Sequence, residues 1–152
     1  MKKIIVVITV IVIAIAASIC VGNTIILKIE KNNIIKGLGA DNYKNYDTEL
    51  VFDSHEGTSD GEALYVIKLE EGDGFDVSDW KELPISKKIS EFYIDSVDYP
   101  EVRKLTEIKN GSWKMIGKNP EIGFGEQGIY GNIKLYVYDS DSRIIYCYIF
   151  DS

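Results

Sequence analysis

The chain has 152 residues, enough for one ordinary domain, with 17 Lys and Arg against 24 Asp and Glu and a net charge of −7. Lys2 and Lys3 are the only charges before residue 22, so the remainder carries 15 basic and 24 acidic residues, a charge of −9. Such a surface repels phosphate backbones, which excludes nucleic acid as the expected partner, and two cysteines are too few for a disulfide scaffold.

After Met1-Lys2-Lys3 runs an uncharged apolar stretch, Ile4 to Val21. As a helix it rises about 27 Å, enough to cross a hydrocarbon core. The two lysines hold the N-terminus in the cytoplasm, which sends the rest of the chain outside. The first expectation is therefore a transmembrane segment, residues 1–22, with the lipid bilayer as partner of residues 4–21. It anchors a single-pass protein in the cell membrane. Two other fates compete. Ala14, Ala16, Ala17 and Ser18 offer small residues for signal cleavage and secretion. Cys20 offers a lipidation point, although Ala17-Ser18-Ile19 before it makes a poor lipobox.

Residues 23–47 are polar and turn-rich after Thr24–Glu30, and read as a stalk or a first strand. Residues 48–152 read as the extracytoplasmic domain. Thr48–Asp53 and Ala63–Leu69 are expected strands, and the polar loop between them makes a hairpin. Ser78 can cap a short helix over 77–83 that Pro84 stops, with Trp80 and Leu83 on one face. Residues 86–94 read as a helical turn, or as a strand at their end. Asp98-Tyr99-Pro100 is a break, and 101–109 reads as one exposed helix. Ser112–Gly117, Ile129–Asp139 and Ser142–Asp151 are strands, the last two joined by an Asp-Ser turn. On the last strand Ile144, Tyr146, Tyr148 and Phe150 take one face and Ile145, Cys147 and Ile149 the other, which predicts cover on both sides. The expected fold is α+β: an N-terminal transmembrane helix, then an antiparallel sheet of about five strands with one or two short helices.

Chemistry concentrates in the loop Asp53–Glu62, which holds the only histidine and four carboxylates. Asp53, His55, Glu56 and Asp60 are the candidate metal ligands, since imidazole and carboxylate both bind divalent cations, although no motif of fixed ligand spacing is matched. The bland reading is a polar hairpin loop whose histidine bonds to backbone. A second acidic stretch, Glu70 to Asp79, lacks the order of a calcium loop, as does the Asp139–Arg143 turn. Gly123–Gly128 has no strand leading into it and reads as a flexible loop rather than a phosphate cradle. No catalytic elbow or paired Cys-His signature is present, and Cys147 is expected as a small core residue. The favoured function is a non-enzymatic binding module at the cell envelope, with no cofactor and with a protein partner. A metal-binding module or metal-dependent hydrolase on the Asp53–Glu62 loop is the alternative.

Three stretches taken together carry a resemblance: Asp53–Glu62, Trp80-Lys81-Glu82-Leu83-Pro84, and Tyr136–Ser142 closing on Tyr146–Asp151. The chain resembles a group of small, uncharacterised, membrane-anchored proteins of low-GC Gram-positive bacteria. That group shares a hydrophobic N-terminus, a D-x-H-G-G…G-D-G loop, a W-K-x-L-P element and a terminal strand pair with a D-x-D turn. The resemblance implies one exported, anchored domain and no particular activity. This chain departs from the pattern at Glu56, where glycine is usual, and at Ser59, near the place of a second histidine. A two-histidine metal site in that loop would have lost one ligand here.

Overall fold

The computed structural model describes residues 31–38, 46–55, 60–70, 76–117 and 132–151. The apolar stretch Ile4–Val21, the loop residues 56–59 and the glycine-rich stretch 123–128 lie outside them. Among the described residues no helix is long and apolar enough to cross a membrane. The chain divides into two units, Met1–Asp41 and Asn42–Ser152. In the first, residues 31–37 are helical rather than extended, with Ile34, Ile35 and Leu38 buried. Their spacing is that of one helical stripe, which overrides the strand reading of this part of the stalk.

The second unit is a six-stranded antiparallel sheet with a few short helices. Its elements are β1 (Tyr46–Asp53), β2 (Gly61–Leu69), β3 (Lys81–Glu82), α1 (Lys87–Ile89) running into a π turn (Ser90–Ile94), α2 (Pro100–Arg103) running into a 3-10 turn (Lys104–Glu107), β4 (Gly111–Gly117), β5 (Ile133–Asp139) and β6 (Ile144–Asp151). The spatial order is β1-β2-β6-β5-β4-β3, so β6 lies between the two halves of the sheet.

Alternation along the strands makes two sets of cross-strand rows. One row runs Phe52–Leu64–Tyr148–Leu135–Met115 from β1 to β4. It lies on the face that the helical segments cover: Ile89, Tyr93, Ile94, Val102 and Leu105 pack there in one core with Leu64, Leu135 and Tyr148. The adjacent row, Leu50–Tyr65–Cys147–Tyr136–Lys114, lies on the other face. Tyr65, Tyr136 and Cys147 in it are buried too, and the Trp80 ring sits 6.2 Å from that of Tyr136. Both faces of β6 are therefore covered, as its apolar pattern predicts. Cys147 is a core residue, and burial pushes its thiol up to about 12.

Two elements differ from expectation, 77–83 and 101–109, and between them the helical alternative for 86–94 holds. The segment 77–83 does not continue as a helix. The Ser78 N–H donates to Asp76 Oδ1 (2.9 Å) and the Trp80 N–H to the Val77 carbonyl (2.9 Å), which closes a single turn. Lys81 and Glu82 then pair with Trp113 and Ser112, and the Leu83 N–H donates to the Gly111 carbonyl (3.1 Å). The open edge of β4 offers a ladder that an isolated helical turn cannot match, and this supplies the sixth strand. Residues 87–94 are helical throughout. Their second half widens, with the Asp95 N–H reaching the Ser90 carbonyl at 2.9 Å, and this turns Ile89, Tyr93 and Ile94 all toward the sheet. Residues 101–109 are not one helix. Val102, Leu105 and Ile108 recur every third residue, which suits a 3-10 turn better than continued α-helix. The guanidinium of Arg103 holds this segment by donating twice to the Val97 carbonyl, at 2.9 and 2.7 Å.

The β5–β6 hairpin closes as expected on Asp139, which accepts the Asp141 N–H (3.0 Å) and the Ser142 hydroxyl (2.7 Å), while Arg143 takes a positive φ of 57°. Gly111 packs beneath this turn at φ 143°, where an added Cβ would stand 1.8 Å from the Tyr138 carbonyl oxygen. Gly111→Ala is expected to cost about 3 kcal/mol of unfolding free energy. Urea denaturation checks this, and a variant within 0.5 kcal/mol, roughly the size of an ordinary surface change, would refute the packing described.

Candidate functional site

The β1–β2 hairpin and the end of β6 meet because Gly61 lies opposite Asp151 in the β2–β6 ladder. The hairpin mouth is closed by Ser54. Its N–H donates to the Glu62 carbonyl (2.8 Å), its hydroxyl donates to the same oxygen (3.1 Å), and its Oγ accepts the Glu62 N–H (2.8 Å). Ser54 is thereby spent on structure and is not a free nucleophile.

His55 follows directly and lies against Gly61, where an added Cβ would meet its Cα, Cγ and Cδ2 at 2.9 Å. Its main-chain N–H donates to Asp53 Oδ1 (2.9 Å), and its ring Nδ1 lies 2.5 Å from the same oxygen. Its Nε2 lies 3.2 Å from Asp151 Oδ2. An ionised carboxylate only accepts, so two of them around one ring favour its protonated form, in which both nitrogens donate. The side chains of His55, Asp53 and Asp151 are 23%, 38% and 25% exposed, so the group is half-sheltered rather than buried.

Burial works against the charge on His55, but the hydrogen bonds to Asp53 and Asp151 and their negative charges outweigh it, and the pKa rises above the ordinary 6.5. Burial likewise raises the Asp53 carboxyl, and the hydrogen bonds and positive charge of His55 outweigh that, holding it below the ordinary 3.8. Glu62, just inside the hairpin, moves the other way: burial lifts it above 4.5 despite the nearby Tyr148 hydroxyl and His55. Burial, with the Glu62 carboxyl beside it, likewise raises the Tyr148 hydroxyl, and Glu62 Oε2 and Tyr148 Oη are both buried.

Of the four residues singled out as metal ligands, Asp53 and His55 come together. Asp60 stands exposed just before β2, and Glu56 lies outside the described residues. Among the described residues no three His, Cys, Asp or Glu side chains group as a metal cage. Asp151, which supplies the second acceptor, escapes sequence reasoning because it stands 96 positions from His55 and only the β2–β6 register brings it near. Among the described residues of the other acidic stretches, three carboxylates have partners of their own. Asp79 pairs with Lys114 at 2.8 Å, Asp76 accepts from Ser78, and Asp139 closes its own turn.

Compared with protein-family models, curated proteins and solved structures, the chain matches none.

The titration of this cluster has a definite sign. The raised His55 contributes stability that is fully present below 6.5 and is lost as pH rises through its folded value. The lowered Asp53 contributes stability present above 3.8 and lost as pH falls through its folded value. Glu62 subtracts as it ionises above 4.5, which moves the optimum toward the acidic side of that window. His55→Gln is expected to cost roughly 1 kcal/mol at pH 5.5 and to remove the decline on the alkaline side. Because there is one histidine, proton NMR assigns its titration without ambiguity. The expected midpoint lies above 6.5 and falls in Asp151→Asn. A midpoint at or below 6.5 in the unmodified chain would show that the two carboxylates do not hold the ring.

Proposed function

We propose that this chain is a membrane-anchored extracytoplasmic domain that binds a protein partner at the cell envelope and carries out no reaction of its own. The observation that carries the reading is the acidic remainder of the chain, 15 basic against 24 acidic residues, together with a lone histidine whose two ring nitrogens both lie against carboxylates. The location rests on the charge-free run Ile4–Val21 behind Lys2 and Lys3, which spans the bilayer and leaves the acidic remainder outside. A surface with an excess of nine negative charges favours a basic partner and repels anionic lipid headgroups.

Two measurements test this. Protease added to intact protoplasts is expected to remove the domain beyond residue 45 while leaving a membrane-bound fragment; protection until lysis would sink the orientation. Capture from envelope extract is expected to recover a protein that elutes as salt is raised. Recovery of nothing at low or high salt would sink the binding role.

A second reading, a metal-binding module or metal-dependent hydrolase on the Asp53–Glu62 loop, draws on the convergence of Asp53 with His55. It requires stoichiometric metal on the purified chain that His55→Ala removes, together with a higher melting temperature when the ion is supplied. Metal analysis that finds none removes it.

A further inference from the structure

A cavity of about 260 Å³ opens between the helix-bearing face of the sheet and the α2–3-10 segment. Leu64 and Leu105, both buried, and the half-buried Val66, Ile108 and Tyr146 form its walls. Strand β1 shapes its mouth. The β1–β2 ladder slips between Leu50, which faces Tyr65, and Phe52, which faces Leu64, leaving Val51 unmatched. This bulge lets Val51 and Phe52 both reach the helix-bearing side. Phe52 stacks on Tyr99 with 4.2 Å between ring centroids, and Val51, 40% exposed, stands where the cavity meets solvent.

The size of the cavity bounds its occupant. A cavity of about 150 Å³ already holds benzene, whereas sites for drug-sized ligands begin at roughly 300 Å³. The space therefore admits one phenyl or branched aliphatic group with a short head, and it is too small for a nucleotide or a flavin.

The rim decides the chemistry of that head. Glu101 and Lys104 both line the cavity and both are exposed. They stand three residues apart where α2 runs into the 3-10 turn, a spacing that makes two side chains neighbours. Among the described residues neither takes part in an ion pair, with the other or with any third group. Their backbone is fixed, because Arg103 between them donates twice to the Val97 carbonyl and Val102 and Leu105 are buried. A carboxylate and an ammonium are thus presented side by side above an apolar hollow. An occupant that answers both carries an ammonium and a carboxylate close together on an apolar body, which is the form of a free α-amino acid. A side chain of a bound polypeptide brings no such pair, since its amino and carboxyl groups are consumed in peptide bonds. A fatty acid or a simple amine answers one half of the rim and leaves the other.

We propose that this cavity binds a free amino acid with a large apolar side chain, the side chain seated among Leu64, Val66, Leu105 and Tyr146, the ammonium against Glu101 and the carboxylate against Lys104. This small-molecule site is additional to the protein-binding role and does not depend on it.

Isothermal titration calorimetry on the full chain in lipid nanodiscs tests the site with L-phenylalanine and with relatives that each lack one feature. Phenylalanine is expected to saturate a single site by millimolar concentration. Alanine, which lacks the ring, is expected to bind about tenfold more weakly or worse. Phenethylamine, without the carboxylate, and 3-phenylpropionate, without the ammonium, are each expected to lose about threefold or more. Glu101→Gln is expected to weaken phenylalanine and leave 3-phenylpropionate unchanged, and Lys104→Gln to weaken phenylalanine and leave phenethylamine unchanged. Val66→Phe fills the cavity and is expected to abolish binding with a melting temperature unchanged or raised, which separates loss of the site from loss of the fold. Absence of saturation by phenylalanine, leucine and isoleucine alike would overturn the proposal, as would phenylalanine binding that neither charge variant alters. Equal binding of N-acetylphenylalanine amide, which mimics a residue within a chain, would overturn it too and make the cavity a seat for a partner's side chain.

Discussion

Everything in this domain depends on β6 finding its place between β2 and β5. Until it does, β1–β2 is an isolated hairpin and β3–β4–β5 a separate piece, and small strand pairs of this kind are marginal in water. The insertion is specified by side chains on both faces. Tyr148 enters the core beneath the helical segments, while Ile145 and Cys147 are buried on the opposite side. Each fully buried side chain of this size contributes about 1.5–3 kcal/mol. A slip of one residue would exchange the two faces, and a slip of two would carry Asp151 about 7 Å from His55. The register that fills the core is therefore the register that assembles the charged cluster at its end.

The cluster itself is a fastening of modest strength. An exposed ion pair contributes little, because water screens it and both side chains lose freedom. His55 improves on that by lying flat against Gly61, by being a short side chain, and by sharing one Asp53 oxygen between its ring and its own main chain. It connects the loop after β1 to the last residues of β6, two places where a sheet frays first. Glu62, the next residue after Gly61, turns with Tyr148 to the opposite face of the sheet, where burial raises both groups.

Much of the sheet is legible in the sequence, and the reasons differ by element. β2, β4, β5 and β6 show through because apolar runs bounded by turn residues have few other ways to bury themselves. The two-sided pattern of β6 marks it as interior. Cys147 is legible as core for the same reason. The short strand at Lys81–Glu82 is not, because Ser78, Trp80 and Leu83 have helical spacing and the competing partner, the edge of β4, lies about thirty residues away. Residues 101–109 read as a helix because Val102, Leu105 and Ile108 fit either an α or a 3-10 period over so short a span. The site is half legible. Asp53 and His55 are two residues apart and their meeting is local chemistry, whereas Asp151 joins them only through tertiary register.

The acidity of the chain and the irregularity of β1 answer one physical problem. An outer strand with exposed Leu50 and Val51 invites pairing with any extended chain, its own copies above all. Carboxylates at Asp47 and Glu49 oppose self-pairing, and the bulge breaks the even ladder that aggregation requires. The bulge moves Val51 toward the helix side, where it joins Leu64 and Tyr146 in the cavity wall and withdraws part of the apolar surface from the edge.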